Sequence, residues 1–111
     1  MKSLPSLTCL SLLLILLLIQ CTPDSYSSNY YVDKNAIGRN NGTSWANAWK
    51  TFSDIEWDLI QPGDTIYISG GKDSVIYYET LTPKCRGTEQ ERITIIAGKY
   101  APKPTGHSGR V

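Results

Sequence analysis

The strongest constraint on how this chain folds is a set of short β-prone runs with no hairpin turn between any two of them. "DTIYISGG" alternates Ile66 and Ile68 with Tyr67 and Ser69, the period-two pattern of a strand with one buried face. "RITIIAG" places Ile93, Ile95 and Ala97 on one face and Thr94 and Ile96 on the other. The apolar Ile96 predicts that the second face is partly covered as well. Tyr30-Tyr31-Val32 reads as a further short strand. "SVIYYETLT" reads as one or two more, broken by Pro83. The one hairpin-type dipeptide, Asn41-Gly42, lies ahead of a different kind of segment and joins no two strands. Strands that do not pair with their chain neighbours pair further along the chain. In a solenoid each coil pairs with the next, and a lone coil cannot bury its own face.

The different segment is "WANAWKTFSDIEWDLI". Trp45, Trp49, Phe52, Ile55 and Leu59 succeed one another at spacings of 4, 3, 3 and 4, one apolar stripe on an α-helix. Lys50, Asp54 and Asp58 fall off that stripe. The spacing predicts a helix over about 49–60. Thr51 or Ser53 would cap it, and an earlier start capped by Thr43 or Ser44 is also open. Pro62-Gly63 ends it.

Ahead of all this stands a segment of another character. Residues 1–20 carry one charge, Lys2, and the apolar run "CLSLLLILLLI" from Cys9 to Ile19. The run is too short to span a bilayer, which takes about 20 residues. A positive start, a short apolar stretch and a polar continuation describe an export signal. Its end, Leu18-Ile19-Gln20-Cys21, resembles the lipobox of bacterial lipoproteins, in which the Cys is lipidated and becomes the new N-terminus. Gln20 departs from the small residue preferred there. An ordinary signal or an uncleaved anchor are the other readings. On the lipoprotein reading residues 1–20 are the signal peptide and Cys21 is the lipidation site. Residues 21–29, polar and Ser-rich, are a flexible tether. Cys9 leaves with the leader, and Cys85 is expected to be a buried small apolar residue without a disulfide partner in this chain.

Charge narrows the function classes. After residue 20 the chain has ten charges of each sign, so it lacks the basic excess of a nucleic-acid binder. Aromatic and β-branched residues are too frequent for an acidic disordered segment.

Taken in order, the motifs resemble the N-terminal part of pectate-lyase-like right-handed parallel β-helix proteins. The "YYV" strand is Tyr30 to Val32, "GTSW" is Gly42 to Trp45, and "PGDT" is Pro62 to Thr65. A "YxExL" stretch is Tyr77 to Leu81, a "GT" turn is Gly87-Thr88, and a "PITI"-like strand is Arg92 to Ile95, with Arg92 where Pro is usual. The resemblance covers about residues 30–111. It implies an all-β fold, a right-handed parallel β-helix. Residues 30–111 would be its amphipathic capping helix and first coil, in a chain that is a fragment of a longer protein. The capping helix would lay Trp45, Trp49, Phe52, Ile55 and Leu59 over the apolar end of the stack.

The same resemblance implies an exported, lipid-anchored protein of the bacterial cell envelope that cleaves or binds polysaccharide, as a uronate-type lyase or a glycoside hydrolase. The expected partners are polysaccharide and, through the lipid anchor, the membrane; no nucleic acid is expected. The family's catalytic residues belong to central coils, so no catalytic residue is expected in this segment. Nor is a cofactor or metal, and calcium is implied only for coils beyond it. Tyr77, Tyr78 and Tyr100 are the candidates for stacking on sugar rings, against a plainer role in strand packing. Asp54 and Asp58 read as solvated helix charge, Asp64 as a residue bonding its own turn, and His107 as a lone loop histidine. The rivals are a non-catalytic surface module that holds glycan, and a complete small α+β domain.

Overall fold

A computed structural model describes residues 27–111; the signal peptide, Cys21 and most of the tether lie outside the described residues. Three four-residue strands form one sheet: β1 (Asn29–Val32), β2 (Thr65–Ile68) and β3 (Thr94–Ala97). Their order is β1-β2-β3 and both pairs are parallel. Tyr30, Ile66 and Ile95 stand in one row, and Val32, Ile68 and Ala97 in another. These two rows share the core face, since side chains alternate along a strand. Tyr31, Tyr67 and Ile96 form the matching row on the opposite face, all three half-buried. The expected partial covering of Ile96 is therefore present. The architecture is a short parallel β-sheet with long crossovers and almost no helix.

The predicted α-helix over 49–60 does not form. Trp49 instead pairs with Val32 in a parallel bridge. Its N–H donates to the Tyr31 carbonyl at 3.0 Å, and its carbonyl accepts from the Asp33 N–H at 2.9 Å. That pairing holds residue 49 extended against β1. Two single 3₁₀ turns come next, Phe52–Asp54 and Trp57–Leu59. Thr51 Oγ1 caps the first by accepting from the Asp54 N–H at 3.1 Å. Ile55 and Ile60 end the two turns in extended conformation, as suits β-branched residues.

With three residues per turn, i and i+3 lie on one side. Phe52 with Ile55 and Trp57 with Ile60 therefore face the core, a repeat of five residues. Ile55 and Ile60 are buried, with Phe52 and Trp57 packed on them. Leu59, the end of the predicted stripe, is 46% exposed. The capping-helix residues thus divide: Trp49 and Ile55 are core, Phe52 is half-buried, Trp45 lies on the opposite face, and Leu59 is outside.

Two local devices fix the sheet. Gly42 has φ +76, and a Cβ there would meet three ring atoms of Trp49 at 2.7 Å. Only glycine permits both the left-handed backbone and the close ring. Asp64, 1% exposed, accepts from the Ser28 N–H through Oδ1 and from the Gln61 N–H through Oδ2, each at 2.8 Å. One carboxylate thereby ties the chain entering β1 to the turn entering β2. It bonds its own turn, as read from the sequence, and one more segment besides.

The predicted strands over "SVIYYETLT" reduce to a single parallel bridge between Ser74 and Arg110. The chain after β3 therefore runs parallel beside the chain after β2. There the Val75 N–H donates to the Arg110 carbonyl and the Arg110 N–H to the Asp73 carbonyl, each at 2.9 Å. Gly70 and Gly109 touch backbone to backbone at this crossing, where no side chain fits.

Two substitutions test these assignments. Gly42→Ala is expected to cost about 2 kcal/mol or more through strain and clash. Asp64→Ala is expected to cost about 1–3 kcal/mol by orphaning two amides. Both are read as shifts of the urea midpoint at constant m-value, and an unchanged midpoint would refute the corresponding role.

Candidate functional site

The side chains that converge most densely lie on the face opposite the core, at the C-terminal ends of β1 and β2. Asp33 comes after β1 and Ser69 after β2, both in the Tyr31/Tyr67 phase of the alternation. Each is buried, Ser69 fully. The segment after β3 brings His107 between them. His107 Nδ1 lies 2.8 Å from Ser69 Oγ and 3.6 Å from Asp33 Oδ2. Its ring stacks on Trp45, with centroids 4.0 Å apart and planes 9° apart. Trp45 also contacts Tyr31 at 4.7 Å, and Tyr31 stacks on Tyr67 at 5.8 Å. The Trp45 Nε1–H donates to the Lys103 carbonyl at 3.2 Å, which fixes the indole.

Backbone groups complete the cluster. Ser69 Oγ accepts from the Gly71 N–H at 3.0 Å, so its single proton is available to His107 Nδ1. Asp33 Oδ1 accepts from the Asn35 N–H at 3.0 Å. The Tyr77 hydroxyl donates to the Ser69 carbonyl at 2.7 Å and accepts from the Lys34 N–H at 3.4 Å. Burial, reinforced by the nearby Asp33 and Glu79 carboxylates and opposed by the Lys34 amide, pushes the Tyr77 phenol up to about 12. It is a neutral donor, not a base, across the physiological range.

Serine, histidine and aspartate so close together invite comparison with a hydrolytic triad. The geometry differs from one. In a triad the base uses one ring nitrogen toward the nucleophile and the other toward the carboxylate, whereas here both oxygens approach Nδ1. Ser69 is also 0% exposed and out of reach of substrate. The trio works as a fastening that holds the chain after β3 across the sheet. Among the described residues no three His, Cys, Asp or Glu side chains are placed to hold a metal ion.

Trp45 forms a wall between two hollows. One, of about 320 Å³, is lined by Asp33, Asn35, Gly38, Ala46 and His107 besides the indole. The other, of about 330 Å³, is lined by Tyr31, Thr43, Ser44, Pro102 and Lys103. Both lie at the lower end of the sizes that hold small ligands. Each combines an aromatic wall with a few hydroxyl, amide or charged groups.

The three tyrosines singled out from the sequence are not brought together. Tyr77 is half-buried and stacks on Phe52, with centroids 5.0 Å apart. Tyr78 and Tyr100 are 84% and 60% exposed, with Lys34 Nζ and Lys99 Nζ 5.1 and 4.9 Å from the respective ring centroids. Cys85 is half-buried in a third hollow of about 410 Å³ with Pro83, Ile93 and Ile95 among its walls. Burial pushes its thiol up, which disfavours the reactive thiolate. Asp54 and Asp58 have no shared site, and Cys21 lies outside the described residues.

Sequence reasoning missed Asp33, Ser69 and His107 as a group. The one available signal was phase: Asp33 and Ser69 sit two residues beyond Tyr31 and Tyr67 on the same face. His107 is separated from them by a Pro/Gly-rich loop that carries no phase.

Comparison with known proteins finds no matching family model, no matching curated protein and no matching solved structure.

The Tyr77 phenol gives a pH test. Its folded-state pKa lies above the ordinary value of 10.0, at about 12. Its contribution to stability is intact below pH ~10 and is lost as the pH rises through the folded-state value. Tyr77→Phe should therefore be less stable than the parent by about 1 kcal/mol at pH 8. The gap should close between pH ~10 and ~12, as read by urea midpoints. A gap that widened with pH would contradict the assignment.

Proposed function

We propose that this chain is the capped end of an exported, lipid-anchored parallel β-helix protein that binds or cleaves polysaccharide. The observation that carries the reading is the in-register parallel ladder, closed along β1 by Trp49 and flanked by the second parallel bridge, Ser74 to Arg110. Parallel strands of four residues, stacked one per turn of chain without hairpins, are the winding pattern of a solenoid. The Trp45–Tyr31–Tyr67 aromatic row supports a glycan ligand, because aromatic side chains offer apolar faces beside polar tips. The hydroxyls of Thr43 and Ser44 stand beside the row.

Within this reading, binding has more support than cleavage for the described residues. The Ser69–His107–Asp33 contacts share one nitrogen, and the serine is buried. The lyase or hydrolase reading then assigns catalysis to other coils, with calcium, where it is used, bound there.

Two experiments test the proposal. Binding of the chain to pectate, alginate and chondroitin is measured by affinity electrophoresis, with product formation monitored in parallel. Binding to one of them is expected, weakened about tenfold by Trp45→Ala, which corresponds to roughly 1.4 kcal/mol. Retardation by none, with no cleavage, overturns the glycan reading. Cys21→Ser is expected to abolish incorporation of labelled fatty acid and release the protein from membranes, since anchoring rests on the acyl chains. Unchanged labelling overturns the lipoprotein reading.

A further inference from the structure

The two edges of the sheet are not equivalent. On the β1 side, the outward N–H groups of Tyr31 and Asp33 donate to the carbonyls of Gly42 and Trp49, each at 2.9 Å. That edge is closed. On the β3 side the phase of the ladder is set by the Thr94 N–H, which donates to the Asp64 carbonyl at 3.0 Å. Alternate residues of a parallel strand bond to alternate neighbours. Thr94 and Ile96 therefore bond toward β2, while the N–H and C=O groups of Ile95 and Ala97 point outward. No backbone partner meets them among the described residues.

The edge is also unguarded. Thr94–Ala97 holds no charge, no proline and no bulge, the usual means by which an edge strand avoids pairing. The hollow of about 410 Å³ lined by Ile93, Ile95 and Cys85 lies beside it, so the core is open at this end.

We propose that the β3 edge joins two copies of this chain as an antiparallel, two-fold pair. The choice of a second copy rests on self-complementarity. With Ile96 opposite the partner's Ile96, Ile95 faces the partner's Ala97, and these exchange the outward N–H and C=O groups. Residues directly opposite in an antiparallel pair share a face. Ile95 and the partner's Ala97 would then both lie on the core face, and both Ile96 side chains on the other. Because the β1 edge is closed, the assembly stops at two and cannot grow into a fibre. The result is a six-stranded sheet covered at both ends. The inference rests on the ladder alone and not on the polysaccharide reading.

Ala97 offers a test that spares the fold. Its φ is −63, which proline adopts, and its N–H has no partner within the described residues. Ala97→Pro removes an outward donor without breaking a bond to β2. In the antiparallel pair Ile96 and the partner's Ile96 form the close, non-hydrogen-bonded type, with Cα atoms about 4.5 Å apart, within disulfide range.

The full chain, purified in detergent, is measured by light scattering with the detergent mass subtracted. A mass of two chains is expected for the parent, and of one chain for Ala97→Pro with an unchanged thermal midpoint. In a Cys85→Ser background, Ile96→Cys should form an intermolecular disulfide under air while the exposed Lys99→Cys does not. A monomeric parent, oligomers above two, or Ile96→Cys that stays reduced would each overturn the proposal. A monomer with slowly exchanging Ile95 and Ala97 amides would assign the edge to another stretch of polypeptide, and a mixed-mass complex to a different protein. Either outcome overturns it as well.

Discussion

Trp49 donates its backbone N–H to Tyr31 and accepts from Asp33 while its ring lies buried beneath Gly42. Much of the molecule depends on that placement. The bridge closes the β1 edge and holds residue 49 extended, and the chain beyond it cannot begin an α-helix there. Tyr30 stacks on the indole at 5.4 Å with planes 15° apart, which orients the first row of the core face. The indole Nε1–H has no hydrogen-bond partner, a desolvation cost of about 1–3 kcal/mol. Burial of the largest side chain in the core and two backbone bonds offset it.

Polar side chains do for the ends of the strands what Trp49 does for the edge. Asp64 joins the segments entering β1 and β2 with one carboxylate. At the opposite ends, Asp33 and Ser69 receive His107, while the Tyr77 hydroxyl donates to the Ser69 carbonyl. Buried polar groups are tolerated only when they are bonded, and each of these is. Strands of four residues have few ladder bonds of their own, so these side-chain ties set the register as much as the ladder does. The hollows on either side of Trp45 are a consequence, because the segment fastened by His107 passes over the aromatic row without filling the space beside it.

The legible and illegible parts of the fold divide along a physical line. The three strands were legible because period-two alternation is a local signal: Ile66 and Ile68 in β2, Ile95 and Ala97 in β3. The role of Asp64 in its own turn was legible for the same reason. The helix was misread because spacings of 4, 3, 3 and 4 also fit two 3₁₀ turns with extended residues between them. Phe52 with Ile55 and Trp57 with Ile60 satisfy burial as well as the α-helical stripe would. The deciding contact is the bridge from Trp49 to Val32, 17 residues apart in sequence. The cluster around His107 joins residues 38 positions apart and more, and no local pattern announces it.

Sequence alone determined that the chain has short strands without hairpins, a neutral body unsuited to nucleic acid, and an apolar leader distinct from the rest of the chain. These are matters of composition and of periods two to four residues long, which neighbouring residues specify by themselves. Tertiary structure alone decided that the strands are parallel and in register, that the aromatic stripe breaks into two turns, and that one sheet edge is closed while the other is open. Those outcomes depend on which distant backbone groups find one another, and pairing between distant groups is fixed only when the whole chain has been packed.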